Sequence, residues 1–221
     1  MVDSSENHRA KVKAALLAKA DELFANFDSY PTVLDEPEKN YIAKQAFSDN
    51  GNAMTLVKWR CQGLTMEHLQ PWIDDPTATQ IVLNNRMERH ALPDDDGHKM
   101  WHLKINMPMI LSNRSVITCF YREKTADGFD AIFHSSQGNE AQTEANAAAI
   151  GSDVIAINEI TYTAWKPLED GSGFELKQVM CFDPAGMIPG MIKNAMAGRM
   201  ANGLQLMIDY LQNGTVPPPA F

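Results

Sequence analysis

The fold is decided by the stretch FDPAGMIP at residues 182–189 and by the segment that follows it. In that segment, apolar side chains recur at spacings of three and four, which predicts one long amphipathic helix ending near Asn213-Gly214. The apolar stripe consists of Ile188, Met191, Ile192, Ala195, Met196, Met200, Leu204, Met207, Ile208 and Leu211. One helix cannot hide such a stripe by itself, so we expect the concave face of a curved sheet to cover it.

Upstream of this stretch, the sequence predicts a first helix and then mainly antiparallel strands. Helical periodicity over residues 9–27 ends before Tyr30-Pro31, because a residue that precedes proline avoids helical geometry. Turn-rich strings join the strand-like segments into hairpins: 41–47 with 53–64, 86–92 with 99–107, 115–124 with 129–136, and 153–168 with 174–182. Short helices are predicted at residues 65–74 and 76–84, and a short helix or ordered loop at residues 141–149.

This order of elements predicts a single α+β domain. The chain has 221 residues, 44% of them hydrophobic, which is enough to build one sizeable core. We expect a flexible N-terminus at residues 1–8, one domain over residues 9–214 and a flexible tail at residues 215–221. Repeated hairpins favour an antiparallel meander over a parallel sheet.

Charge and cysteine content limit the partners and the compartment. The chain carries 19 basic and 28 acidic residues, a net charge of -9, which argues against nucleic-acid binding because phosphate contacts need basic residues. Cys61, Cys119 and Cys181 lie far apart and form no CxxC pair, so we expect buried free thiols in a reducing compartment. Residues 1–10 are polar, without the apolar core of a signal peptide, so we expect a cytoplasmic protein.

Motifs of familiar catalytic and metal sites are missing from the sequence. It contains no GxxxxGK[ST] or GxGxxG phosphate loop, no GxSxG nucleophile elbow and no HExxH. His98 and His102 would lie about 13 Å apart on a strand, too far to bind one metal ion. The string DDDG at residues 94–97 is typical of a hairpin turn rather than of a calcium loop. We therefore expect no catalytic residue, no metal and no cofactor.

The stretch 182–189 and the helix after it resemble the end of a START (StAR-related lipid-transfer) domain. That family closes its sheet with a strand, a turn of the form Asp-x-x-Gly-x-hydrophobic-Pro and a C-terminal helix. PMILSNRSV at residues 108–116 resembles the family's loop that ends in Arg-Asp, with Ser115 in place of the aspartate. WKPL at residues 165–168 resembles the strand end before the final hairpin. With length and element order, the resemblance covers nearly the whole chain.

The resemblance implies a helix-grip fold, in which a curved antiparallel sheet wraps around the long C-terminal helix. It also implies that a tunnel between sheet and helix binds a single hydrophobic lipid of the sterol, phospholipid or ceramide class, and that the protein carries this lipid between membranes without catalysis. Sterol-binding members place an acid and an arginine in the tunnel. The matching positions here hold Trp101 or His102 and Phe120, so that pair is missing.

Two other functions stay open. One is an enzyme of the same superfamily, a cyclase or hydrolase acting on a hydrophobic substrate, since a fold does not fix a function. The other is a regulatory module in which the lipid is a signal read by a partner protein. Histidine, aspartate or tyrosine side chains converging on the tunnel would favour the enzyme.

The expected tunnel lining combines strand alternation, the resemblance and the helix stripe. Alternation places Trp101, Leu103 and Ile105 on one apolar face. The motif match adds Thr118, Phe120, Phe133, Asn158, Tyr162 and Met180. The stripe of the final helix adds Ile192, Met196, Met200, Leu204 and Met207. Ordinary core packing is the competing interpretation for each of these residues.

A loop at residues 107–111, MPMIL, is entirely apolar. We expect Met109 and Ile110 in this rim loop to touch a membrane transiently while the lipid is exchanged. The alternative is that the loop packs on the end of the last helix. The expected partners are thus a lipid ligand and, transiently, a membrane, for a protein that binds no nucleic acid and is a monomer.

Overall fold

The fold was analysed in a computed structural model, which describes residues 4–65, 67–68, 87–107, 111–186, 205–207, 209–211 and 213. The first helix, α1, spans Ser4–Ala25 and so begins ahead of its predicted start at Arg9. The strands are β1 Thr32–Glu36, β2 Tyr41–Phe47, β3 Ala53–Gln62, β4 Met87–Asp95, β5 His98–Ile105, β6 Arg114–Lys124, β7 Asp130–Ser135, β8 Val154–Ile155, β9 Ile157–Pro167 and β10 Gly173–Asp183. Two short helices, α2 Glu140–Ala145 and α3 Ala147–Ile150, occupy the predicted position near residues 141–149. Single 3-10 turns lie at Phe27–Ser29 and Pro37–Lys39.

All ten strands belong to one sheet, in the order β1-β2-β3-β10-β9-β7-β6-β5-β4, with the short β8 added parallel to β6. The four predicted hairpins are present and antiparallel. β1 was not predicted from the sequence. It is a short edge strand that pairs with β2 alone.

The outer face of the sheet, defined here as the face that packs against α1, holds the larger core. Val12, Leu16, Ala20 and Leu23 on α1 share one buried cluster with side chains of the central strands. The helical periodicity over residues 9–27 rests on these four residues and on Phe27, which follows α1 and belongs to the same cluster. The opposite face is called the inner face below.

Polar contacts fix α1 on the outer face. The Arg9 guanidinium is almost fully buried, donates to Asn139 Oδ1 at 2.6 Å and forms an ion pair with Asp95. The amide of Asn139 in turn donates to the carbonyls of Ile117 and Ser135. The buried arginine is thus neutralised and hydrogen-bonded, as a buried charge must be.

The turn after β10 has a physical basis in its sequence. Asp183 Oδ1 accepts a hydrogen bond from the Ala185 backbone N–H at 2.9 Å, and Ala185 and Gly186 both have positive φ, 53° and 65°. Arg114, at the start of β6, donates from Nε to Pro184 O at 2.9 Å and from Nη2 to Ala185 O at 3.2 Å. Arg114 of the stretch 108–116 therefore contacts the turn in the stretch 182–189, so two segments that carry the resemblance are in contact.

Part of the predicted architecture lies outside the described residues. This holds for the inserted helix at 65–74, apart from residues 65, 67 and 68, for the whole of the inserted helix at 76–84, and for the C-terminal helix from residue 187 to 204. Residues 205–207 and 209–211 are helical, and Met207 is buried on the inner face with Tyr41, Val57 and Phe174. No helix of the described part of the chain combines the length and hydropathy needed to cross a membrane.

Candidate ligand-binding face

The inner and outer faces of the same strands are packed differently. On the outer face, Tyr121, Phe133 and Val179 are at most 1% exposed. On the inner face, the large apolar side chains of Trp101, Phe120 and Met180 are only half-buried. These three side chains are thus packed less completely than the outer-face residues, whereas Leu103, Val116 and Thr118 of the same inner face are buried.

Several predicted tunnel residues lie on the inner face. Trp101 and Leu103 cluster there with Val116 of β6. Ile105 follows them by alternation on β5, and Thr118 and Phe120 by alternation on β6. Strand alternation had placed the three β5 residues on one face, and the resemblance had placed Thr118 and Phe120 of β6 on the face that adjoins it.

Phe133 and Tyr162 were predicted on the wrong face. Both belong to the outer cluster under α1, and the Tyr162 ring contacts Phe24 with ring centroids 6.2 Å apart. The register explains the error, because Tyr121, Phe133 and Tyr162 are opposite one another on adjacent strands and share a face. Neither side chain can line an inner cavity, so His134, the partner of Phe120, takes that place on β7.

Asn158 reaches the inner face through a bulge. Simple alternation gives Asn158 and Tyr162 the same face, but the β9–β10 register shifts between Cys181 and Phe182. A β-bulge of this kind re-aims a side chain. Asn158 Nδ2 consequently lies 2.9 Å from His134 Nδ1, while Tyr162 stays on the outer face.

The hydrogen bonds around Asn158 fix the tautomer of His134. Asn158 Nδ2 carries two hydrogens and donates one of them to the His134 carbonyl at 3.2 Å. The other end of the amide, Oδ1, accepts from the Thr161 hydroxyl at 3.0 Å. The second amide hydrogen points to His134 Nδ1, 2.9 Å away, which also lies 3.3 Å from the Thr118 hydroxyl; with this orientation of the amide, Nδ1 is the acceptor. The ring proton sits on Nε2, where it is a free donor with respect to the described hydrogen bonds.

His134 is held in the neutral form. Its ring stacks on Phe120, with centroids 6.4 Å apart, and protein surrounds it closely although part of its surface stays accessible. Burial, with a smaller contribution from the Arg89 charge, lowers the pKa of His134 to about 3.

Arg89 enters the same region from β4, and no sequence signal marked it. Its guanidinium carbon lies 5.7 Å from the centre of the Trp101 ring. The Nε atom is buried without a hydrogen-bond partner, and no described carboxylate forms an ion pair with the side chain. Burial lowers the pKa of Arg89 from its usual value, but an arginine keeps its charge in a protein.

An open pocket of about 580 Å³ lies where the β6–β7 hairpin meets β9. Arg122, Asp130 and Trp165 contribute inner-face side chains to its wall, and the Arg122–Asp130 ion pair, at 2.6 Å, crosses it. None of the predicted tunnel-lining residues is among the residues that line this pocket. It marks one end of the inner face and exposes a polar rim there.

The remaining predicted site residues cannot be placed. Ile192, Met196, Met200 and Leu204 of the final helix, and Met109 and Ile110 of the rim loop, lie outside the described residues. Met207 is described and is 3% exposed on the inner face.

One histidine–serine–aspartate group occurs, but it faces outward. His102 Nε2 lies 2.9 Å from Ser115 Oγ, and this hydroxyl donates to Asp153 Oδ2 at 2.8 Å. The serine stands between the base and the acid, so the carboxylate cannot orient the imidazole as it does in a hydrolase triad. Asp153 instead brings a carboxylate, from another segment, next to Ser115, which stands where the resembling loop has an aspartate. Within the part of the chain that the structure describes, no group of three metal-ligating side chains comes together.

Solved structures share this architecture over nearly the whole chain. Human StAR-related lipid transfer protein 5 superposes with a TM-score of 0.73 at 11% identity, over 95% of this chain and 100% of that one. The fold is that of a START domain. Human STARD10 gives a TM-score of 0.65 at 14% identity over 87% of this chain and 79% of that one. A STAR-related lipid transfer protein fragment from Xanthomonas axonopodis gives 0.61 at 16% identity over 83% and 99%.

The START fold places the chain in the α+β class with helix-grip architecture, as the sequence predicted. The likeness is one of structure, since no protein-family model and no curated protein sequence matches the chain.

Proposed function

We propose that the protein binds a single hydrophobic lipid against the inner face of its sheet and carries it between membranes. The observation that carries this proposal is the contrast between the two faces. The outer face is filled by α1, whereas Trp101, Phe120 and Met180 point inward and remain half-buried. A concave apolar surface with a few polar groups is the usual form of a small-molecule site.

The structural neighbours support the same reading. Two of them are described in their own names as StAR-related or STAR-related lipid transfer proteins. A fold alone does not determine function, so the packing of this chain's own inner face is the stronger argument.

The energies fit a reversible carrier. A lipid that buries about 400 Å² of apolar surface gains roughly 10 kcal/mol at about 25 cal/mol per Å². The loss of translational and rotational freedom and the ordering of side chains offset a good part of this gain. Binding is then firm and still permits release at a membrane.

The enzyme alternative has no comparable observation in its favour. The imidazole nearest the proposed lipid is His134, whose pKa of about 3 makes it a poor general base near pH 7. The described residues give no separate support to the regulatory module either. In our proposal the protein works as a cytoplasmic monomer that contacts membranes only during exchange.

Native mass spectrometry of the purified protein, with organic extraction of bound molecules, tests the proposal. We expect one lipid per chain, with a mass that identifies its class. If the protein is empty, binding to a panel of sterols, phospholipids and ceramides decides the matter. An empty protein that also binds no member of the panel would refute the proposal.

The carrying step has its own test. We predict that changing Met109 and Ile110 to aspartate slows lipid transfer between vesicles at least about tenfold, because a charged rim loop cannot enter the acyl region. Phe47→Asp is the control, since Phe47 is 63% exposed on β2, in the half of the sheet away from β5 and β6. Equal transfer rates for the rim variant and the wild type would remove membrane contact by this loop from the proposal.

A further inference from the structure

The inner face contains a positive charge that no carboxylate of the described residues balances. Arg89 has its Nε buried without a partner, and its contact among the described residues is the Trp101 ring. Two inner-face carboxylates are already paired, Asp130 with Arg122 and Glu36 with Lys39. A desolvated charge is costly unless a counter-ion accompanies it, and among the described residues Arg89 has none.

The polar groups beside Arg89 offer donors rather than acceptors. His134 presents Nε2–H, because Asn158 occupies its Nδ1. The Asn158 oxygen is taken by the Thr161 hydroxyl, and the Thr118 hydroxyl donates to Ser135 O at 3.1 Å. No described hydrogen bond occupies Arg89 Nε or His134 Nε2, and these two N–H donors, one of them on a charged group, complement an anionic acceptor.

The surroundings of this donor pair are apolar. Phe120 stacks on the imidazole, Trp101 lies against the guanidinium, and Leu103 packs beside Trp101. An ion small enough to keep its water shell gains little in such a place. A molecule with an anionic head and an apolar tail satisfies both surfaces.

We propose that the lipid bound by this protein carries a carboxylate or phosphate head, which Arg89 and the Nε2–H of His134 bind inside the inner face. This inference rests on the proposed function, because it names the chemical class of the lipid. Arg89 supplies the charge and a bidentate fork that fits either oxyanion. His134 supplies one further hydrogen bond, and Asn158 is the positioning residue that keeps the Nε2 tautomer.

Two matched pairs of ligands test the inference on the delipidated full-length chain. The first is a fluorescent polyunsaturated fatty acid with its methyl ester, and the second is a lysophosphatidic acid with the monoacylglycerol of the same chain. The wild type should bind the charged member of at least one pair about tenfold or more tightly than the neutral member. The carboxylate and phosphate arms show which oxyanion the site prefers.

Arg89→Met should abolish the preference and change the affinity for the neutral members by less than about twofold. Arg89→Lys should retain part of the preference, because the charge remains and the fork is lost. Arg122→Met is the matched control, since Arg122 is an inner-face arginine that is already paired with Asp130, and it should keep the wild-type preference. Asn158→Leu should weaken the preference without abolishing it.

The stability of the delipidated protein provides a second readout, which separates binding from structure. Arg89→Met should raise the thermal midpoint, because it replaces an unbalanced buried charge with an apolar side chain. A lower midpoint would mean that Arg89 is needed for folding, and would overturn the inference. Equal binding of charged and neutral members by the wild type would also overturn it while leaving lipid binding intact. Failure to bind any of the four ligands overturns it too, and the proposed function then depends on the wider lipid panel.

Discussion

At the scale of single residues, Arg114 ties the start of β6 to the turn that follows β10. Its guanidinium donates to the carbonyls of Ser112, Pro184 and Ala185 while its side chain is buried. Hydrogen bonds from a charged group contribute about 1.5–3 kcal/mol each, and carbonyls left unpaired add a desolvation cost. This one side chain therefore sets the point at which the chain leaves the sheet.

We predict that Arg114→Met lowers the free energy of unfolding by about 3 kcal/mol, measured by urea denaturation. Arg122→Met serves as control, because its ion pair with Asp130 is largely exposed and should be worth less than about 1 kcal/mol. Equal losses for the two variants would show that the contacts of Arg114 do not hold the turn.

His134 makes stability depend on pH in a defined direction. Its pKa is about 3 in the folded chain and about 6.5 in an unfolded one, so the unfolded state binds the proton more readily. Above about pH 6.5 the imidazole is neutral in both the folded and the unfolded state, so its titration does not change the free energy of unfolding. As the pH falls below that value, stability is lost by about 1.4 kcal/mol per pH unit until the folded pKa is reached.

His134→Asn keeps an acceptor near the Nδ1 position and removes the titrating group. We predict that the free energy of unfolding of this variant falls less steeply than that of the wild type between about pH 5.5 and 4, by about 1.4 kcal/mol per unit. Thr118→Val removes a neighbour of the ring without removing a titrating group, and should keep the wild-type slope. Parallel pH profiles for His134→Asn and the wild type would mean that the imidazole is not desolvated.

At the scale of elements, alternation along a strand is predictable, whereas register between strands is not. The sequence correctly placed Trp101, Leu103 and Ile105 on one face of β5 because alternation needs only local information. Phe133 required the pairing across the β6–β7 turn, and a shift of one residue exchanges the faces. Asn158 required knowledge of a bulge, and its correct placement came from the resemblance rather than from alternation.

The two faces of β6 and β7 should respond differently to the same substitution. We predict that Phe133→Ala, on the outer face, costs about 3–5 kcal/mol of stability, because it opens a cavity in a filled core. Phe120→Ala, on the half-buried inner side, should cost less than about 2 kcal/mol and weaken lipid binding at least about tenfold. Unfolding and binding titrations measure both effects, and a larger stability loss for Phe120→Ala would contradict our assignment of the faces.

Turn chemistry explains why the hairpins were found and β1 was not. Asp96 and Gly97 both have positive φ, 51° and 74°, as a two-residue hairpin turn requires. The string DDDG at residues 94–97 therefore predicts this turn from the sequence. β1 lies between Pro31 and Pro37 and pairs with one neighbour, so it carries no comparable signal. Arg89 likewise resembles any charged residue of an exposed strand until the sheet places it beside Trp101.

At the scale of the whole molecule, the overall architecture could be predicted because the amphipathic C-terminal segment needs a sheet to cover its apolar stripe. The apolar stripe after residue 187 and the FDPAGMIP turn imply a concave sheet, and the hairpins supply one. The chemistry of the inner face could not be predicted in this way. It depends on β4, β6, β7 and β9 bringing Arg89, Thr118, His134 and Asn158 together, residues that alternation within one strand cannot relate.

α1 packs against one face of the sheet, and we propose that a lipid packs against the other. A photoreactive lipid reports where on the protein it is bound, so it distinguishes the two faces. The full-length protein is loaded with one equivalent of a lipid bearing a diazirine in its tail, irradiated and mapped by peptide mass spectrometry. We predict adducts on inner-face residues such as Trp101, Phe120 and Met180, removed by an excess of unlabelled lipid. Saturable adducts on α1 or on outer-face residues such as Phe133, with the inner face unlabelled, would contradict the account.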